Sequence, residues 1–298
     1  MQDQYSSSIN ILKSNNLYFI RIFLLKKSKG VLKLDFSNTI IIIPARMGSS
    51  RLPNKPLLKI NGTPLIIHAY NCAKSSKLDV PILVATDNEL IANVVNDHGG
   101  STLMTSNKHE SGSDRIFEAL EKFDPDQKYQ NIIHLQGDLP NISGNLIKKL
   151  AVTIDDPLKE IATVVVKASP EEYEDKSVVK AAIAFAKDNP VVDDIGRAMY
   201  FSRACIPFGE TNIWHHVGIY AWKRKILKRF VNLKPSPLEK TERLEQLRAL
   251  EAGITIDAII TSEHPIGVDT ELDLNKACLL YTSPSPRDAT LSRMPSSA

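Results

Sequence analysis

Cysteine is scarce: Cys72, Cys205 and Cys278 are the only three in 298 residues, and no Cys-x-x-Cys occurs. That pattern excludes a disulfide framework and a zinc ribbon, and fits small buried hydrophobes in a reducing, cytoplasmic compartment. No Gly-x-Gly-x-x-Gly follows the first strand-like segment, and no Gly-x-x-x-x-Gly-Lys-Ser/Thr is present. The dinucleotide and Walker fingerprints are therefore missing. No nucleophile–histidine–acid arrangement supports covalent hydrolysis. The apolar segment Leu17–Leu25 is broken by Arg21 and is too short for stable membrane insertion.

A strongly basic body is lacking too. The chain's 37 basic and 34 acidic side chains give a net charge of +3. Residues 1–37 hold six of the bases and two acids, and residues 278–298 hold two bases and one acid. That leaves 29 bases and 31 acids in residues 38–277. A nearly neutral body excludes the clustered basic face of a nucleic-acid binder. Residues 1–37 read as an extension ahead of the domain. Residues 278–298 resemble the conceptual translation of a sequencing-library adapter and read as a disordered tail.

What remains, residues 38–277, suits one α/β domain. Strand-like and helix-like segments alternate as in a mostly parallel, Rossmann-like sheet flanked by helices. Expected strands include Thr39–Pro44, Val80–Thr86, Ser101–Met104, Asn131–Gln136 and Ile161–Lys167. Expected helices include Pro64–Ser76 capped by Thr63, Glu89–His98, Gly112–Phe123 and a single long Pro237–Ala252. Shorter strands over about 170–220 suggest a smaller inserted β-rich subdomain. Ligands of such sheets gather beyond the strands' carboxyl ends, so Arg46, Asp87 and Asp138 should converge.

Residues 44–56, Pro-Ala-Arg-Met-Gly-Ser-Ser-Arg-Leu-Pro-Asn-Lys-Pro, leave the first strand. Small residues let backbone N–H groups face an anion, and Arg46, Arg51 and Lys55 add positive charge, so the loop suits phosphates. Asp138 in Gln136-Gly137-Asp138 and Asp269 in Gly267-Val268-Asp269-Thr270 follow apolar segments. Two such carboxylates suit Mg²⁺, which takes few protein oxygens; a helix cap is the alternative reading of each. Glu239 in Ser236-Pro237-Leu238-Glu239 fits a capping box. On one long helix it would share a face with Glu242 and Gln246. Arg203 and the pair His215-His216 are further polar groups near strand ends.

These blocks resemble the 3-deoxy-manno-octulosonate cytidylyltransferases, the CMP-Kdo synthetases of lipopolysaccharide assembly. The resemblance runs from Thr39 to Ala277. It also rests on Val84-Ala85-Thr86-Asp87, Ser111-Gly112-Ser113-Asp114-Arg115, Tyr200-Phe201-Ser202-Arg203, His216-Val217-Gly218-Ile219-Tyr220 and Leu244-Glu245-Gln246-Leu247-Arg248. Departures are Asn54 where many members have Gly, Leu139 where they have Glu, and His215 where they have Arg.

The resemblance implies a nucleotidyltransferase fold of GT-A-like type and CMP transfer from CTP to the sugar acid Kdo, with pyrophosphate released. It implies that Arg46, Arg51 and Lys55 hold the triphosphate while Asp138 and Asp269 hold Mg²⁺. Ala45, Asp87, Ser111, Gly112 and Gln136 would stand near the nucleotide, and Arg203, His216, Glu239 and Gln246 near the sugar acid. A homodimer through the 170–220 region is also implied. A related sugar acid as acceptor, such as an 8-amino or sialic-acid-like one, and a non-catalytic nucleotide-binding role are the alternatives.

Overall fold

A computed structural model describes residues 34–48, 51–209 and 212–282. The expectations for most of the N-terminal extension and for the tail beyond Thr282 lie outside these residues. The four isoleucines Ile40–Ile43 show how the fold is organised. They lie in β1 (Thr39–Ala45) and are each fully buried. Ile41 and Ile43 point into one apolar cluster, Ile40 and Ile42 into another on the opposite face. A strand covered on both sides reads as a continuous apolar run rather than an alternating one. Burying each such side chain contributes about 1.5–3 kcal/mol.

β1 is flanked by β4 (Ile82–Thr86) and β6 (Asn131–His134), both parallel to it, with β5 (Ser101–Met104) parallel beyond β4. The order β5-β4-β1-β6 is the doubly wound half of the sheet. Helices α1 (Leu65–Ser75), α2 (Glu89–Asp97) and α4 (Gly144–Asp155) cover one face, and α3 (Gly112–Phe123) and α5 (Arg224–Val231) the other. Between β1 and α1, the turn Asn61-Gly62 closes a small hairpin of β2 (Lys59–Ile60) and β3 (Thr63–Pro64). Thr63 is consequently in a strand, and Pro64 rather than Thr63 stands at the N-cap of α1, without a side-chain bond.

The expected mostly parallel sheet and separate β-rich subdomain require correction. Among the described residues one mixed nine-stranded sheet runs β5-β4-β1-β6-β10-β7-β11-β9-β8. Here β7 is Ile161–Lys167, β8 Lys180–Ala184, β9 Ile195–Ser202, β10 Trp214–Lys223 and β11 Ile256–Thr261. β10 inserts antiparallel between β6 and β7. The strands of the 170–220 region hydrogen-bond to β10 and β11, so they extend the main sheet. Two reversals leave β7 and β11 running in the direction of β6. The turns after β1, β4, β6 and β11 therefore open on one edge.

Two helical details also differ. Arg243 adopts a left-handed backbone (φ 57°) and splits the expected long helix into α6 (Pro237–Glu242) and α7 (Gln246–Glu251). The helical face expected to join Glu239 to Gln246 is thereby interrupted. α4 was not expected. Its signal is Ser143, which accepts from the Leu146 N–H, followed by Leu146, Ile147, Leu150 and Ile154 at helical spacing. The last helix, α8, spans Glu271–Thr282, with Ala277 and Cys278 packed against Leu52 and Ile60, so the disordered tail expected from Cys278 is corrected as far as Thr282. No helix among the described residues is long and apolar enough to cross a membrane.

Candidate active site

The site is built from the turns at that edge. After β1 the chain passes through Arg46 and Arg51 to Asn54, which holds a left-handed backbone (φ 56°, ψ 24°) and starts a short turn over Lys55–Leu57. Asn accepts this conformation better than most residues, so its presence in place of Gly is compatible with the loop. The turn aims the Lys55 ammonium between two carboxylates: Asp138 Oδ2 at 2.6 Å and Asp269 Oδ1 at 2.8 Å. Arg51 Nη2 lies 3.1 Å from the second Asp269 oxygen. Burial opposes charge on Lys55, yet the two aspartates outweigh it and hold the pKa above its ordinary value. Burial likewise opposes the Asp269 carboxylate, and Lys55 with Arg51 hold it below the ordinary range.

Backbone bonds bring the two aspartates together. The Val268 N–H donates to the Asp138 carbonyl at 3.0 Å. Gly137 is required by close approach, because a Cβ there would stand 3.0 Å from the Pro44 carbonyl oxygen. Neither aspartate caps a helix. Ser143 serves α4, while Asp273 accepts from the N–H groups of Asp269 and Thr270 at the start of α8. The capping alternative therefore fails for both, and their carboxylates face the cation.

A cavity of about 720 Å³ opens above this cluster. The first loop lines it with Ala45, Arg46, Arg51 and Lys55, the start of α3 with Ser111 and Gly112, and the β6 turn with Gln136 and Asp138; Asp269 closes the wall. Ser111 caps α3 by accepting from the Asp114 N–H, so the helix presents its positive end near the cavity. Gly112 fits because a Cβ there would lie 3.1 Å from His134 Nε2. Asp87 is set back. It accepts from Arg115 Nη2 at 2.7 Å, and Arg115, 2 % exposed, lines the cavity in its stead. Arg115 was not singled out from the sequence, although it ends the Ser-Gly-Ser-Asp-Arg block.

The residues expected around a sugar acid are more scattered. Arg203 lines a second cavity of about 660 Å³, together with Arg51 and Arg243. His216 is buried, with its Nε2 2.9 Å from Thr163 Oγ1 and its ring against Phe201. Gln246 is buried at the start of α7. Glu239 accepts from the Ser236 N–H and, through both oxygens, from Arg248 Nε and Nη2 at 2.8 and 2.5 Å. Burial raises its pKa, but Arg248 and the Ser236 N–H outweigh this and hold it low. Glu239→Gln is expected to lower the unfolding free energy in urea by about 2 kcal/mol and to leave substrate KM values unchanged. A raised KM at unaltered stability would instead place Glu239 on a substrate.

Burial pushes two histidines below their ordinary 6.5, His134 to about 4 and His216 to about 3. The unfolded chain takes up protons on them below 6.5 while the native state resists. Their contribution to stability is therefore complete above that pH and is lost as pH falls. At pH 5 each costs on the order of 2 kcal/mol relative to pH 7. Urea midpoints across this range should fall accordingly, and His216→Gln should flatten the decline.

Comparison with known proteins agrees with this geometry. A family model described as cytidylyltransferase matches residues 40–256. The 3-deoxy-manno-octulosonate cytidylyltransferase of Nitrobacter hamburgensis is 46% identical over 253 residues, covering 84% of this chain and 96% of the relative. That of Brucella anthropi is 47% identical over 248 residues, covering 83% and 98%. A solved CMP:2-keto-3-deoxy-manno-octonic acid synthetase complexed with CTP superposes with a TM-score of 0.74 at 37% identity, over 82% of this chain and 98% of that one. The mixed α/β sheet is thus of nucleotidyltransferase type. With a matched model over most of its domain and relatives aligned nearly end to end, the chain belongs to the cytidylyltransferase family, among the 3-deoxy-manno-octulosonate cytidylyltransferases.

Proposed function

We propose that this protein transfers CMP from CTP to the anomeric hydroxyl of 3-deoxy-manno-octulosonate, releasing pyrophosphate. The observation that carries this reading is the convergence of Asp138 and Asp269 on one cation at the foot of a loop bearing Arg46, Arg51 and Lys55. The named relatives and the CTP complex of the similar structure supply the substrates.

The acceptor hydroxyl attacks the α-phosphorus in line and loses its proton as the bond to pyrophosphate breaks. Such transfer depends on positioning and charge neutralisation rather than on covalent help from the protein. Arg46, Arg51 and Lys55 hold the triphosphate and neutralise the charge that grows on the leaving group. Arg115, fixed by Asp87, closes the nucleotide cavity together with Ala45, Ser111, Gly112 and Gln136. Arg203, His216 and Gln246 are assigned to the acceptor side, while Glu239, held by Arg248, contributes to the stability of that region.

The donor set fits Mg²⁺. A positively charged nitrogen already occupies the space between the two aspartates. No cluster of three or more candidate ligands occurs among the described residues, and Mg²⁺ is commonly held by one or two carboxylates with phosphate and water completing its shell. When bound by Asp138 and Asp269, it supplies charge neutralisation at the α-phosphate and lowers the pKa of the acceptor hydroxyl. A cytoplasmic setting and a homodimer belong to the same reading. Exposed Met199 and Phe208, in the 170–220 region, support the dimer. The test is pyrophosphate release with Mg²⁺ and CTP: dependence on Kdo, with ATP inactive, is expected. Release with a sialic-acid-like or 8-amino acceptor alone would change the substrate, and none with any acceptor would overturn the reading.

A further inference from the structure

The segment between β5 and α3 carries Glu110 and Ser111 to the wall of the main cavity. Its first residue is fixed from the sheet side. The Thr105 N–H donates to the Thr86 carbonyl at 2.8 Å, and Thr105 Oγ1 accepts from Arg115 Nη1 at 2.6 Å. The stretch that follows is tied to one carboxylate of α3, that of Glu118. Glu118 Oε2 accepts from the Ser106 N–H at 2.9 Å and meets His109 Nε2. Its other oxygen accepts from Lys122 Nζ at 2.6 Å. Burial opposes charge on Glu118, but Lys122, the Ser106 N–H and His109 outweigh it and hold its pKa at about 2. An ionised carboxylate can only accept, so His109 Nε2 carries the proton of their bond. Glu118 itself stands outside the cavity lining.

We propose that Glu118 is a positioning residue for the nucleotide: through Ser106 and His109 it sets the segment that places Glu110 and Ser111 beside bound CTP. Glu110 directly follows His109 and is the cavity's third carboxylate, after Asp138 and Asp269. Where His109 is held therefore decides how near that charge stands to a triphosphate, which it repels. Ser111, the next residue, caps α3 and so starts the helix at the cavity. Released from Glu118, the segment would have to be ordered as the nucleotide binds, and that ordering weakens binding. Once CTP saturates, the ordering is complete and turnover should change little. The inference rests on the CMP-transfer reading for the identity of the nucleotide.

The test uses the full chain with Glu118→Ala, Glu118→Gln, His109→Ala and Lys122→Ala, assayed for pyrophosphate release and, by calorimetry, for CTP binding. Glu118→Ala should raise the CTP KM and Kd about tenfold, with kcat and the Kdo KM within about twofold of wild type. Glu118→Gln keeps an acceptor oxygen for the Ser106 N–H and should recover most of the loss. His109→Ala leaves α3 untouched and should raise the CTP KM about fivefold. Combined with Glu118→Ala it should add nothing, since both changes break the same tie. Lys122→Ala removes the partner on the helix and leaves both loop bonds, so its CTP KM should stay within about twofold of wild type. A CTP KM near wild type in Glu118→Ala, or in His109→Ala should the first variant not fold, overturns the proposal. Full additivity of those two changes does the same, as does an equal rise in the Kdo KM. An equal rise in Lys122→Ala overturns it too, by tracing the effect to helix stability. A wild-type protein that binds CTP without turnover would count against the CMP-transfer reading, and the calorimetric comparison would still decide the role of Glu118.

Discussion

Asp138→Asn should leave a folded protein with almost no turnover, its kcat/KM down by about a hundredfold or more. The carboxylate is part of no helix cap, and its main-chain carbonyl, which receives the Val268 N–H, is untouched by the change. Thermal unfolding should stay cooperative and fall only modestly, since Lys55 loses one of its two charged partners and keeps Asp269. The loss is expected because removing one charged group aimed at the transition state typically costs roughly 2.7–4 kcal/mol. Asp269→Asn should behave alike, since the two carboxylates share the same ammonium. Initial rates at saturating Mg²⁺ decide it. Near-normal rates in either variant would remove that residue from the metal assignment.

Lys55→Met should be as severe in activity and more revealing in stability. Lys55 bonds to Asp138 and Asp269 at once and is only 14 % exposed. Removing its charge strips the triphosphate of an anchor and leaves two carboxylates facing each other, which raises the free energy of their charged forms. In chelator the variant should melt below the wild type. Added Mg²⁺ should restore it, because a ligand that binds only the native state stabilises it in proportion to its occupancy. Wild-type melting without nucleotide should respond far less, its own ammonium already filling the gap. A variant whose melting ignores Mg²⁺ would show that the pair does not hold the ion.

How much of this was readable beforehand differs by element. The β1 run and the basic loop after it were legible because their causes are local: two-sided burial gives Ile40–Ile43, and Asn54 opens the turn that follows. Asp138 and Asp269 were legible as a pair of strand-end carboxylates, but not the lysine bridging them from Asp138 83 positions away. The direction of β10 was not legible, since antiparallel insertion between β6 and β7 depends on partners distant in the chain. Arg115 escaped notice because its importance comes from Asp87, which no periodicity connects to it. Glu239 was legible as the far end of a capping box, which the fold contains, whereas its bonds to Arg248 had no local signal. α4 carries ample local signal in Ser143 and in the helical spacing of its apolar residues.

The bond from Val268 to Asp138 has a bearing on when the protein becomes competent during its synthesis. The loop after β1 and the β6 turn are made before Val268, as are β1, β4, β5 and β6. Asp269 emerges more than a hundred residues after Asp138. Domains generally fold as units as the chain is made, so the site is complete only once the turn carrying Asp269 has joined the β6 turn. A chain terminated before Asp269 should accordingly lack one of the two carboxylates that meet at Lys55, and with it CMP transfer.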